Sequence, residues 1–188
     1  MKTLILNGSP RDNGNTAFLV NELIQKLDGH VLALKTFESD IQPCSDCRYC
    51  FASSGCCVED DMQFLYDYLE ECDNIVLASP INFTELAGTL LVIMSRLQAI
   101  YANKRFLKIN PIRKRKKGVI ILTGGGDGGC EKAESTATLL LKCMQADVVA
   151  KVYSLKTDTL PAKEDEEAVR GIHELTEELN LAAQENPV

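Results

Sequence analysis

The chain has 188 residues, enough for one large domain that buries most of the apolar surface of its unfolded state. With 45% hydrophobic and 25% charged residues it reads as globular, and its net charge of -7 argues against generic affinity for nucleic acid or anionic membrane, where phosphate contacts need surplus Lys and Arg. The longest apolar run, residues 86–94, is too short for a bilayer and is broken by Gly88 and Thr89, and the amino terminus enters a strand without a signal-peptide core, so a cytoplasmic protein without a membrane span is expected.

Taken in chain order, β-rich apolar runs at residues 3–6, 31–36, 74–78, 118–122 and 148–155 predict five strands. Helical periodicity fills the intervals at residues 16–27, 60–71, 85–101 and 131–145, and a last helix is predicted over residues 162–183. Regular alternation of strand and helix implies right-handed crossovers on a parallel sheet covered on both faces, which accounts for the almost wholly apolar third and fourth runs. The expected fold is therefore α/β: a flavodoxin-like three-layer sandwich with a five-stranded parallel sheet of order 2-1-3-4-5. Residues 1–188 make one domain, interrupted by a cysteine-rich loop insertion at about residues 41–58. The basic run RKRKK before the fourth strand reads as a solvated loop in preference to an anionic docking patch.

The first strand ends in LNGSPRDNGNT, which leads into a helix. Such a loop offers free backbone N–H groups, hydroxyls and the positive end of a helix dipole to a phosphate. Gly8 and Gly14 permit a tight turn, Ser9, Asn13, Asn15 and Thr16 supply polar groups, and Arg11 adds charge. The pattern is neither GxGxxG nor GxxxxGK[ST], which leaves a monophosphate; the competing reading is a plain turn with an Asn or Thr cap.

In the insertion, Cys44, Cys47, Cys50 and Cys56 are spaced C-x2-C-x2-C-x5-C, a set that one loop can fold around a soft metal centre. A cluster, structural zinc and unmetallated thiols remain alternatives, and Cys57 is either a substitute ligand or a spectator. Asp60 and Asp61 are expected to cap the next helix. Cys72 and Cys143 read as packing residues, and Cys130 as the other thiol able to approach the ligand.

The third strand ends in ASPINFTELAG, with the following helix starting near Thr84 or Glu85, and the fourth ends in TGGGDGG. In a doubly wound sheet both loops leave at the same edge as the phosphate loop, where a planar ring could lie between them. Phe83 is divided between that role and core packing.

NGSPRDNGNT, PCSDCRYC with GCCVEDDM, ASPINF with LAG and the SRL of the next helix, and LTGGG together resemble the NAD(P)H-dependent FMN reductase family, including its iron-sulfur flavoproteins, over about residues 1–144. The resemblance implies that Ser9, Arg11, Asn15 and Thr16 bind the FMN phosphate, that Pro80, Ile81, Asn82 and Phe83 form the ring-binding loop, and that Thr123, Gly124, Gly125 and Gly126 face the other side. It makes the four cysteines a [4Fe-4S] site. Relatives usually carry Tyr at the position of Asn82, and Lys with Asp-Arg where this chain has Leu91 with Ser95-Arg96.

The function implied is an FMN-dependent oxidoreductase taking electrons from NAD(P)H to a flavin, quinone or other acceptor, with the chemistry carried by FMN and no catalytic side chain. The first alternative is an iron-sulfur flavoprotein served by a ferredoxin-like donor; the second is a non-catalytic flavin-binding sensor. By resemblance a homodimer or homotetramer is expected.

Overall fold

The computed structural model describes residues 1–185, without the side chains of residues 182–185. Five parallel strands, β1 (Lys2–Asn7), β2 (His30–Lys35), β3 (Asn74–Pro80), β4 (Lys116–Thr123) and β5 (Ala146–Ser154), form one sheet in the order β2-β1-β3-β4-β5. The helices are α1 (Asn15–Lys26), α2 (Tyr49–Ala52), α3 (Met62–Glu71), α4 (Gly88–Ser95), α5 (Gln98–Ala102), α6 (Glu131–Cys143) and α7 (Glu166–Glu185).

Side chains on adjacent strand residues point to opposite faces, so each central strand feeds two cores. Leu4, Leu6, Ile75, Leu77, Ile120 and Leu122 pack under α3, α4 and α6. Ile5, Val76, Ala78, Val119, Ile121 and Val152 pack under α1 and α7. Burial of a Leu or Ile in such a core contributes about 1.5–3 kcal/mol. This double burial explains why β3 lacks polar alternation, whereas the edge strands β2 and β5 keep exposed or half-exposed positions. The expected fold and strand order are therefore observed.

Three expectations change. The helix predicted over residues 85–101 starts at Gly88 and breaks after Ser95; α5 then continues into a π-helical turn, Asn103–Leu107. The displacement at its start has a local cause, since Phe83 and Thr84 adopt left-handed backbone (φ 50° and 65°) in a two-residue hairpin closed by reciprocal Asn82 and Glu85 backbone bonds of 2.9 and 3.0 Å. The short helix α2 inside the cysteine loop was not foreseen. Third, α3 begins at Met62 with no side-chain cap from Asp61. Asp61 instead accepts the Asp40 N–H, whereas Asp60 caps as expected by accepting the Met62 N–H at 3.1 Å and also enters a buried ion pair described below.

The basic run folds back on acidic neighbours: Arg113 meets Glu70, Lys114 meets Asp73 at 2.7 Å, and Arg115 meets Asp147. Lys116 begins β4, where burial lowers its pKa. Among the described residues no helix is long and apolar enough to cross a membrane.

Candidate functional site

Three loops leave the sheet at the carboxyl ends of β1, β3 and β4, brought level by the pairings Asn7 with Ala78 and Pro80 with Thr123. The first is braced from within. Asn7 accepts the Ser9 N–H at 2.9 Å, Ser9 Oγ accepts the Arg11 N–H at 3.2 Å, and the Gly14 N–H reaches the Arg11 carbonyl at 3.2 Å. Ser9 is buried; Arg11 and Asn13 are exposed, and Arg11 makes no ion pair among the described residues. Gly8 lies so close to α4 that an added Cβ would stand 3.1 Å from the Ala87 Cβ.

Gly14 caps α1 with backbone only, and among the described residues no side chain bonds to the first-turn amides. The competing reading of an Asn or Thr cap therefore fails, and the amino end of a 12-residue helix presents N–H donors and its dipole to the loop. Asn15, one of the expected donors, uses its side-chain oxygen to accept the Ala162 N–H at 2.9 Å, tying the loop to the segment before α7.

Thr16 and Thr123 join two of the loops: their hydroxyls lie 2.6 Å apart, both buried. The β3 and β4 loops are joined in turn by the Ile81 N–H to the Thr123 carbonyl at 2.8 Å. An added Cβ at Gly124 would meet Ile81 at 3.4 Å, and one at Gly128 would meet Thr84 at 3.5 Å, so the glycine run lies against the Ile81–Thr84 turn. Phe83 is fully exposed at the tip of that turn, which excludes core packing for it. Gly126 has open space where a side chain would be, whereas the Asp158 carboxylate occupies the Cβ position of Gly125. Asp158 carried no sequence signal, because it follows β5 in a loop whose approach to the glycine run is set by the Thr157 N–H to Gly124 carbonyl bond of 3.0 Å.

The cysteine loop is a second centre. Cys44, Cys47, Cys50 and Cys56 line one pocket of about 20 Å³ together with Arg96, and Cys57 lies outside it. The four thiols share this pocket without meeting at one point; among the described residues no three His, Cys, Asp or Glu side chains converge to hold a metal ion. Cys50 is buried at the base, and its pKa is raised by burial first and then by Cys56, Cys44 and Cys47. Cys47 is exposed and its pKa is lowered, first by the Tyr49 backbone N–H and then by Cys57, whose own pKa is raised by the same contact.

Side chains from other elements hold the loop in place, two of them, Asn103 and Arg96, buried. Asn103 donates to the Cys50 carbonyl at 2.9 Å and the Ser53 carbonyl at 3.3 Å and accepts the Gly55 N–H at 2.8 Å. Gln63 donates to the carbonyls of Cys56 and Val58, and Ser95 accepts the Cys44 N–H at 3.0 Å. Arg96, only 1% exposed, pairs with Asp60 at 2.6 Å, donates to the Gln42 and Val58 carbonyls, and reaches Cys56 Sγ at 3.4 Å. Burial alone would raise the Asp60 carboxyl; the Arg96 guanidinium and the N–H groups of Gln42 and Met62 outweigh it and hold that pKa below the ordinary carboxylate range. Among the described residues Arg96 Nε is buried without a partner. No sequence motif marks Arg96 and Asp60 as partners, because their pairing spans 36 residues.

Soft thiols beside a buried cation with a spare N–H suit an anionic thiolate-ligated centre in donor type and charge. A bare amide-rich helix end with Arg11 beside it suits a phosphate.

A sequence model of the NADPH-dependent FMN reductase family matches residues 1–159. The chain belongs to that family. It is 28% identical over 182 residues to an iron-sulfur flavoprotein of Archaeoglobus fulgidus, covering 89% of each chain. It is 27% identical over 135 residues to an iron-sulfur flavoprotein of Methanocaldococcus jannaschii, spanning 70% of this chain and 66% of that protein. Among solved structures, an FMN-dependent NADH-azoreductase from Bacillus anthracis in complex with FMN superposes with a TM-score of 0.72 at 10% identity, over 96% of this chain and 100% of the other, a likeness of fold.

Proposed function

We propose that this family member is an FMN-dependent oxidoreductase that takes electrons from NAD(P)H and delivers them to a flavin, quinone or other acceptor. The observation that carries the reading is the uncapped α1 terminus, coupled through the buried Thr16–Thr123 hydrogen bond to the loops of β3 and β4. FMN, when bound, supplies hydride and single-electron chemistry. The chain's part is to hold and shield it. Ser9, Asn13, Asn15, Thr16 and the first-turn amides receive the phosphate, with Arg11 offsetting its charge and Gly14 leaving the approach open. Pro80, Ile81, Asn82 and Phe83 line one side of the ring, and Thr123, Gly124, Gly125 and Gly126 line the other, with the Gly124 N–H already given to the Ser154 carbonyl at 2.9 Å. The exposed Phe83 is placed to cover the ring or to meet a second copy in a homodimer or homotetramer. The reading includes a cytoplasmic location.

Purified protein should retain or take up FMN in equimolar amount, and NADPH should bleach its absorbance in a stopped-flow mixer. Folded protein that takes up no FMN ends the proposal, and bound FMN that no nicotinamide reduces would leave a sensor.

A second reading is supported by one observation, the unpartnered Nε of buried Arg96 beside the pocket of Cys44, Cys47, Cys50 and Cys56. In it the four thiols carry a [4Fe-4S] cluster that receives single electrons from a ferredoxin-like donor. Anaerobically prepared protein should then contain iron and acid-labile sulfide, both lost in Cys50→Ser; stoichiometric zinc or metal-free thiols would exclude it.

A further inference from the structure

Two of the eight thiols face each other. The Sγ atoms of Cys47 and Cys57 lie 3.6 Å apart, whereas a disulfide brings two sulfurs to about 2.0 Å, so bond formation needs only a small approach of two loop segments. Both residues are exposed, and an oxidant reaches them without opening the fold. The turn that carries Cys47 is set by left-handed backbone on either side of it, at Asp46 (φ 52°) and Arg48 (φ 60°), non-glycine conformations that persist only where the surroundings hold them. On the other side, Gln63 fixes the Cys56 carbonyl immediately before Cys57. The alternatives are less suited: Cys50 and Cys72 are buried, and Cys56 receives the Arg96 guanidinium.

Cys57 is also spare. It does not line the pocket shared by Cys44, Cys47, Cys50 and Cys56, whereas Cys47 does. Cys47 is thus the thiol common to the pocket and to the close pair.

We propose that Cys47 and Cys57 are the site of a reversible disulfide, formed by a peroxide, that withdraws Cys47 from the pocket and so excludes a thiolate-ligated metal centre while it lasts. The disulfide itself depends only on the pair; the exclusion rests on the iron-sulfur reading. One sulfur attacks a peroxide oxygen, giving a sulfenic acid and, from hydrogen peroxide, water. The second sulfur attacks the first and expels another water, so two thiols and one hydrogen peroxide give one disulfide and two waters. A dithiol reductant returns both protons and electrons and restores the thiols.

The test uses the full-length, FMN-loaded protein, freed of metal with a chelator. It is treated with limiting hydrogen peroxide, alkylated with N-ethylmaleimide, digested with trypsin and mapped by mass spectrometry. Cleavage after Arg48 separates Cys47 from Cys57 in sequence, so their disulfide joins two peptides that otherwise part. The expected result is that linked pair, with loss in dithiothreitol and absence from Cys57→Ser. Recovery of Cys47 and Cys57 both alkylated, or a link from Cys47 to Cys44, Cys50 or Cys56, overturns the proposal. In the second arm, ferrous iron and sulfide are offered anaerobically. The oxidised protein should take up less than a tenth of the iron taken up by the reduced protein, and Cys57→Ser should take up iron equally before and after peroxide. Equal uptake by oxidised and reduced wild type overturns the exclusion. A disulfide that forms in protein which binds no iron in either state refutes the iron-sulfur reading and the exclusion built on it, and leaves the disulfide standing.

Discussion

The β1 loop and the cysteine loop are both rich in turn-forming residues, yet they are held in opposite ways. The first hangs between a central strand and a 12-residue helix, and its bonds are short in sequence: Asn7 to Ser9, Ser9 to Arg11, Arg11 to Gly14. Its offering to a ligand is backbone. The cysteine loop is held by side chains from other elements, Asn103, Gln63, Ser95 and Arg96, with a four-residue helix as its only regular piece. Its offering is thiol sulfur. Rigid sheet ends can place amides by local geometry alone, whereas a long insertion needs anchors distant in sequence to bring its side chains together.

Removing an anchor from the second region should therefore cost most. Arg96→Met leaves Asp60 buried without its counter-charge, and urea unfolding should report a loss of about 3–5 kcal/mol. FMN binding by the variant fraction that remains folded should be nearly unchanged, because the pair lies in the cysteine region; a parallel loss of flavin affinity would merge the two regions. Asn103→Ala frees two buried carbonyls and an N–H, each worth about 1–3 kcal/mol if left unsatisfied. Its effect should appear as faster amide exchange in residues 50–55, with little change at residues 9–16.

Within the first region, Thr16→Val removes one member of the buried hydroxyl pair and strands Thr123, for an expected loss of about 1–3 kcal/mol by the same unfolding assay. Here flavin affinity should fall too, which separates this variant from Arg96→Met.

The pH response is smaller and has a definite sign. The Asp60 pKa is depressed in the folded state, so its stabilisation is fully present above the ordinary carboxylate value and is lost as pH falls through the lower, folded one. Stability measured from pH 5 down to pH 2 should decline, and Asp60→Asn should decline less steeply over the same range, whatever its starting stability. The smallest change is expected from Phe83→Ala, within about 0.5 kcal/mol because the ring buries nothing within the chain. A drop in the rate of flavin bleaching by NADPH, or a shift of oligomeric state in light scattering, would then assign Phe83 to the ring or to a second copy.

Much of this protein was legible in its residues. Apolar β-rich runs and period-3.6 patterns determined the five strands and most helices to within a few residues, though not α2 or the break after Ser95, and the alternation of strand and helix determined a parallel sheet buried on both faces, because local sterics and the need to cover apolar faces leave few other solutions. The loops at the three strand ends were legible for the same reason, since strand direction dictates the edge at which they emerge. Tertiary structure decided what depends on residues far apart in sequence. It paired Asp60 with Arg96, set Thr16 against Thr123, turned Asp158 toward Gly125 and brought Cys47 within reach of Cys57 while seating Cys56 over a buried guanidinium. A hydrogen bond or ion pair between distant residues leaves no periodic trace in sequence, and its partners are fixed only when packing has excluded water and every buried donor and acceptor must find a mate.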